Sequence, residues 1–400
     1  MCRGSVSSLV DASAKKASTV PPLAELRAAI PAKCFERSAV RSLALVVRDG
    51  LVIAAFAAVA TALLRVPGTG AGQLTVLEWL GWLVYAFAQG TAGTGWWVLA
   101  HECGHGGFSP SRLLNDIVGW VLHSALLVPY FSWQYSHGKH HSKTNHLLDG
   151  ESHVPDAEDE MTTAIMRTLH KILGDDCFAI LELVNHLLFG WPMYLLFNVT
   201  GGRRLNGKEV AKPLSFAADH FRPTSDLFPE AWRFRIALST LGVGITALAL
   251  GRACYVFGFA PVAVYYFGPY LFVNFWLVLY TWLQHTDENM PHYGEDEWTW
   301  LKGALCTIDR PYGIFDWFHH HIGSTHVCHH VFSALPCYHA VEATKHLKAY
   351  LEPRGLYNYD PTPIPLAAWR VAKTCHFVEG VEGTQYYKSF SSSKAEGKKA

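Results

Sequence analysis

Four long apolar runs set the pattern of the chain: Leu43 to Leu64, Val76 to Ala100, Phe234 to Leu250 and Pro261 to Leu283. Each falls in the range that an α-helix needs to cross a bilayer core, roughly 17 to 25 residues. Arg48 and Asp49 stand near the start of the first run, where polar side chains can reach the interface. A Gly-rich loop joins the first two runs and a turn around Gly258 joins the last two. The runs therefore pair into two membrane hairpins and return the chain to the side on which it began. Leu113 to Trp133 and Phe178 to Val199 are also apolar, but the first carries Asn115, Asp116 and His123, and the second carries Glu182, Asn185, His186 and Asn198. That polarity predicts interfacial or half-buried helices. Met1 to Thr19 and Ser389 to Ala400 have little to bury and are expected to be flexible, with a short surface helix over Ala24 to Ala29. The pattern divides the chain into an N-terminal segment (1–42), one membrane domain (43–388) and a tail (389–400).

Composition agrees with a membrane protein, since half the residues are hydrophobic and 16% are charged. The formal net charge is zero, with no long basic block before the last few residues. This argues against nucleic acid as a partner. Nine cysteines occur without a CxxC pair and read as reduced thiols. No apolar core precedes Ser42, so membrane insertion is expected to rely on internal spans. The loops Arg65 to Thr75 and Gly251 to Ala260 hold one arginine each and no lysine. The excess of basic residues on the other side predicts cytosolic termini.

Histidine changes the picture from architecture to chemistry. Among 22 histidines, His101-Glu-Cys-Gly-His105 is an HxxxH pair, and His137-Gly-Lys-His140-His141 and His326-Val-Cys-His329-His330 are both HxxHH. Residues at i, i+3 and i+4 share one helix face, so each cluster can aim two or three imidazoles at one point, and neutral imidazole ligates transition metals. A single HxxxH is as often an ordinary surface or core pair. Three such clusters in one membrane protein are not readily explained that way. All eight can meet only if the clusters lie on one side of the membrane. This requires Leu113 to Trp133 to fold back, because a true span there would separate the first two clusters by about 30 Å. Eight imidazoles exceed the four ligands of a structural zinc site and the three of a catalytic one, so two metal ions are expected. His285, at the end of the last run, is placed to add a ninth ligand. In the run His319-His320-His321 the side chains leave a helix on different faces, so at most one or two could join the site, and roles behind the ligands or at the surface are expected. His123, His186 and His339 read as packing or interface residues. His101-Glu-Cys-Gly-His105 also fits the HExxH of zinc proteases, a reading that leaves six clustered histidines idle.

Taken together, the sequence resembles the plant-type membrane fatty-acid desaturases, the delta-12 and omega-3 group of the endoplasmic reticulum. The resemblance runs from Pro22 to Glu379. Its stretches include Ile30-Pro-Ala-Lys-Cys34-Phe-Glu-Arg-Ser38, Trp97 to His105, Leu127-Val-Pro-Tyr-Phe-Ser-Trp133, Gly190-Trp-Pro-Met-Tyr194, Leu283-Gln-His-Thr286, Gly303-Ala304-Leu305, Thr325 to His330 and Tyr338-His-Ala-Val-Glu-Ala-Thr344. It implies an all-α integral membrane fold: a four-span helical bundle with interfacial helices and a cytosolic helical cap carrying a histidine-rich di-iron site. By the same resemblance His101, His105, His137, His140, His141, His326, His329 and His330 are iron ligands. Gly138, Lys139 and Cys328 depart from the residues usual in that family; none is a ligand.

The activity implied is O2-dependent formation of a cis double bond in a membrane acyl lipid, first of all delta-12 desaturation of oleoyl groups. Omega-3 desaturation of linoleoyl chains, and hydroxylation, epoxidation or conjugation on the same scaffold, are the alternatives. The chain has no CxxCH, His-Pro-Gly-Gly or GxGxxG segment, so electrons are expected from cytochrome b5 and its NADH-dependent reductase. The location implied is the endoplasmic reticulum membrane, with the histidine clusters cytosolic. A histidine-rich transporter or sensor is the rival from another class, but transport favours ligands near mid-membrane, and every clustered histidine lies at or beyond a run's end.

Overall fold

The computed structural model describes residues 20–70, 72–210 and 217–391. Met1 to Thr19 and the end of the tail, 392–400, both expected to be flexible, lie outside the described residues. Fifteen α-helices are present among the described residues. Strand structure there is limited to two short antiparallel ladders, Arg204–Leu205 with Lys208–Glu209 and His292–Tyr293 with Thr384–Gln385.

Helix α1 (Leu23–Ala29) leads to α2 (Ala39–Leu63), whose first turn is capped by Ser38, and then to α3 (Val76–His105), which opens on a capping box between Thr75 and Glu78. α3 is the central helix, with α2 and α10 (Gly268–His285) against it. Small residues permit the approach: a Cβ on Gly90 would stand 2.4 Å from the Phe272 Cβ and 2.6 Å from the Pro269 carbonyl oxygen. α8 (Arg233–Phe257) packs on α4 (Arg112–Ala125) and α5 (Tyr130–Ser142), and α9 (Phe259–Val262) runs through a wide turn into α10. The expected runs therefore appear as α2, α3, α8 and α9 with α10, each slightly longer than its apolar stretch.

Length and apolarity alone select a different four: Ala39–Leu63, Met161–Phe197, Glu230–Phe257 and Phe259–His285. Packing decides between the two sets. α3 lies alongside α10, and the loop before α3 meets α9, with Gly68 against Ala260 and Pro261. Both helices end at histidines that face a common site, so α3 crosses the same layer as α10. Gly, Thr and Gln residues make it less apolar, and most of them are accommodated because the second half of α3, from Gly90 onward, is buried against its neighbours. Met161–Phe197 would be about 55 Å long if straight. Instead the chain before it is tied to the chain after it, Val154 N–H donating to the Thr200 carbonyl at 3.1 Å. It is broken at Gly174 (φ 73°, ψ 173°) into the arms of α6 (Met161–Val184), with α7 (Gly190–Phe197) beyond a wide turn. Both ends return to one side, the behaviour of an interfacial element.

The Leu113 to Trp133 run folds back as required. α4 and α5 meet at 106°, and Leu127 adopts φ 55° in the bend. The cap consists of α11 (Trp300–Ala304), α12 (Phe315–Phe318), α13 (His326–Val331), α14 (Cys337–Leu351) and α15 (Ile364–Thr374). Its main core joins Leu26 and Ile30 of the N-terminal segment to Val327, Val331, Ala343, Leu347 and Leu351. The helix expected over Ala24 to Ala29 is thus docked through a fully buried Leu26. At the other end the packing continues through Phe390, which is buried with Phe178 and Phe377.

Candidate metal centre

Each histidine cluster sits at the end of an element that packing holds in place. His101 and His105 occupy the last turn of α3, His137, His140 and His141 the second half of α5, His285 the last residue of α10, and His326, His329 and His330 the short helix α13. The structure brings all nine together. His101, His105, His137, His141 and His329 place one ring nitrogen each within 4.8 Å of the others, and His140, His285 and His330 form a second group on the same criterion. His326 joins the second group, with Nε2 3.0 Å from Nε2 of His285. The groups adjoin, the His141 and His330 rings stacking at 4.0 Å between centroids.

The donor set fits transition-metal ions. Nε2 to Nε2 separations are 3.3 Å for His101 and His105, 3.1 Å for His137 and His141, 3.2 Å for His141 and His329, and 3.2 Å for His140 and His285. Two nitrogens each about 2.1 Å from one ion and at right angles around it are about 3.0 Å apart. Nε2 of His330 is buried with no hydrogen-bond partner. Burial holds the His326 imidazole down to about 3 and, together with neighbouring His326, holds His330 well below its ordinary value. Neutral rings are the form that binds metal. Two outward nitrogens are also fixed: His140 Nδ1 lies 2.9 Å from Ser152 Oγ, and His330 Nδ1 lies 3.2 Å from Thr144 Oγ1. Such contacts set the tautomer that leaves Nε2 free.

An apolar cleft adjoins the cluster, lined among others by Trp97, Trp133, His137, Trp191, Leu277 and Val278. A larger, more polar chamber shares His153, His186 and Thr200 with it and extends toward α15 and Phe390. The cleft touches the clustered histidines through His137.

Several residues fall elsewhere than the sequence suggests. His319 is buried between helices, Nδ1 2.8 Å from the Tyr280 hydroxyl and Nε2 3.0 Å from the Thr91 carbonyl oxygen. His320 is bonded to the buried Asp49 of α2 at 2.8 Å. His319 thus ties α10 to α3 and His320 ties its loop to α2, and neither is a surface residue or a contact of the cluster. Asp49 accordingly faces inward, while Arg48 lies over the Trp317 ring. His123, read as a packing residue, is buried against Trp97 and Trp133. His339 lies with Cys34 and Glu342, but Lys33 is paired with Glu342 at 2.9 Å and occupies the carboxylate that a cation would need. Sequence reasoning missed Thr144, Ser152 and His153, the last stacked on His285 at 5.7 Å. They stand in the loop after α5, where no periodic pattern sets them apart.

Comparison with known proteins points the same way. The fatty acid desaturase family model matches residues 77–361. The chain is similar to an oleoyl-12-hydroxylase of Ricinus communis, 42% identical over 91% of this chain and 89% of that protein. It is equally similar to a delta(12) fatty acid desaturase of Mortierella alpina, 42% identical over 91% and 90%. The endoplasmic reticulum isozyme 2 of the omega-6 fatty acid desaturase of Glycine max is 42% identical over 91% and 89%.

Proposed function

The chain belongs to the fatty acid desaturase family and is a membrane oxidoreductase of fatty-acyl chains; from this premise we propose that it forms a cis double bond at the delta-12 position of oleoyl groups on membrane lipid. The observation that carries the reading is the convergence of nine imidazoles beside an apolar cleft at the ends of the spans. In this reading two iron ions are held by His101, His105, His137, His140, His141, His285, His326, His329 and His330. When bound, they supply the oxidising power by which O2, two electrons and two protons convert a –CH2–CH2– unit to –CH=CH– and two waters.

The chain's own residues set position and environment. Methylenes along an acyl chain are nearly alike in reactivity, so selection rests on geometry. Trp97, Trp133, Trp191, Leu277 and Val278 would line the acyl chain and keep water out, with His137 marking the reacting end of the cleft. The donors proposed are cytochrome b5 and its NADH-dependent reductase, because the sequence has no motif for its own haem or dinucleotide. The location proposed is the endoplasmic reticulum, with the cluster facing the cytosol, in keeping with the Glycine max relative and the scarcity of basic residues in the opposite loops.

A second reading, 12-hydroxylation, is supported by the Ricinus communis relative, whose identity equals that of the desaturases. Expression in a yeast lacking polyunsaturated fats, with gas chromatography of fatty-acid methyl esters, separates the outcomes. An 18-carbon diene is expected. A hydroxylated product moves the assignment to the second reading, and lipids unchanged with and without added linoleate, with the protein present, overturn both.

A further inference from the structure

The residues Asp309 and Arg310 reach, from one loop, the two segments that carry His285 and His326. Arg310 is completely buried, and its Nε donates to the Leu283 carbonyl at 2.9 Å. That carbonyl lies in the last turn of α10, where no further helical residue remains to bond it, and a cation there complements the helix dipole. The guanidinium is itself held by Asp360 and lies 3.5 Å from Asp287. Arg370, one-third exposed, closes the network with contacts of 3.0 Å to Asp287 and 2.6 Å to Asp360. Two arginines thus face two carboxylates, and the buried charge is balanced.

The adjacent Asp309 turns the other way. Its Oδ1 accepts from the Val327 N–H at 2.8 Å, its Oδ2 accepts from the Tyr357 hydroxyl, and its backbone pairs with Asn358 and Asp360. Val327 immediately follows His326. The backbone repeats the connection: Ile308 N–H donates to the Gln284 carbonyl at 3.1 Å, and Arg310 N–H and the Gln284 side chain both donate to the Gly323 carbonyl at 3.0 Å. His285 and His326 come from helices far apart in sequence, yet their Nε2 atoms stand 3.0 Å apart. The loop thus reaches both segments, beside the direct tie from the Gln284 side chain to the Gly323 carbonyl, and helps to set that spacing.

We propose that Arg310 is a positioning residue for the metal held at His285, His140, His330 and His326, acting through the Leu283 carbonyl rather than by touching the ion. This rests on the dinuclear reading above. The second group, built on His101, His105, His137, His141 and His329, receives no contact from Arg310. Loss of the strut is therefore expected to be selective. Arg310→Lys keeps the charge but lacks the planar fork that holds a carbonyl and a carboxylate together.

The test measures iron per chain and the Mössbauer spectrum of full-length protein purified in detergent. For R310K we expect affinity at one position to fall roughly 10- to 100-fold, so that dialysed protein retains about half the parental iron and loses the signature of a coupled pair. R370Q, which removes the outer arginine and no contact to α10, is expected to melt earlier while keeping the parental iron and spectrum. D360N is the second variant, and decides the matter should R310K not fold: half-loading supports the proposal, and parental loading and spectrum overturn it. Parental loading in R310K, or equal iron loss in R370Q and R310K, overturns it as well. Parent protein measured alongside keeps the two readings apart, since a parent without paired iron refutes the dinuclear centre itself.

Discussion

Replacing Ser152 by alanine isolates the contribution of a residue that touches a proposed ligand without itself being one. The hydroxyl lies 2.9 Å from Nδ1 of His140, whose Nε2 faces the centre 3.2 Å from that of His285. With the proton of Nδ1 donated to Ser152, the lone pair of Nε2 is directed inward. Removing the hydroxyl leaves Nδ1 without that acceptor and frees the ring to rotate or change tautomer. A neutral hydrogen bond contributes about 0.5 to 1.5 kcal/mol to stability, whereas contacts behind a metal ligand are worth roughly 10- to 100-fold in affinity, or about 1.4 to 2.8 kcal/mol. S152A should therefore keep its melting temperature within a few degrees but release iron at a chelator concentration at least tenfold lower. Product formation in yeast should fall with it. S152T, which keeps a hydroxyl, should recover much of both. An S152A protein that holds iron against chelator as the parent does would refute the idea that the loop after α5 orients His140.

Three further outcomes follow from the same geometry. Alanine at His105, His140 and His329 together should abolish both bound iron and activity, measured by elemental analysis and fatty-acid profile; survival of both would remove the basis for the centre. Gly90→Ala should destabilise the protein by about 1 to 3 kcal/mol, because its Cβ would stand 2.4 Å from that of Phe272, and an unchanged melting temperature in detergent would contradict the close approach of α3 and α10. Burial holds His220, His292 and His376 down to about 4, below the ordinary 6.5. The unfolded chain then takes up more protons between those values, so stability present above about 6.5 should be lost progressively as pH falls toward 4. H220Q and H376Q should each flatten that slope, and a melting temperature level from pH 7 to 4 would count against burial of these rings.

The apolar runs marked the candidate segments for the bilayer, because long stretches with so few charges have no other favourable solvent, and packing then chose α3 over Met161–Phe197. The spacing of the histidine clusters likewise made their shared chemistry legible, since i, i+3 and i+4 on a helix converge whatever surrounds them. α3 was readable as a span from its long apolar run. Its status as the central helix, tolerant of Gly, Thr and Gln, came from packing against α2 and α10. His319 and His320 show the limit of local reasoning. Adjacency in sequence with the third cluster suggested nearness to the centre, yet the chain takes them to Tyr280 and Asp49 instead.

Periodic and compositional signals thus determined the class of fold and the candidate ligands, both of which depend on residues close together in the chain. The tertiary structure alone decided the 106° reversal between α4 and α5, the folding back of Met161–Phe197, the roles of Ser152 and Thr144, and the brace from Asp309 and Arg310. These depend on contacts between separate segments, from 12 residues apart for His140 and Ser152 to 186 for Thr144 and His330, or on isolated loop positions, and neither leaves a repeating mark in the sequence.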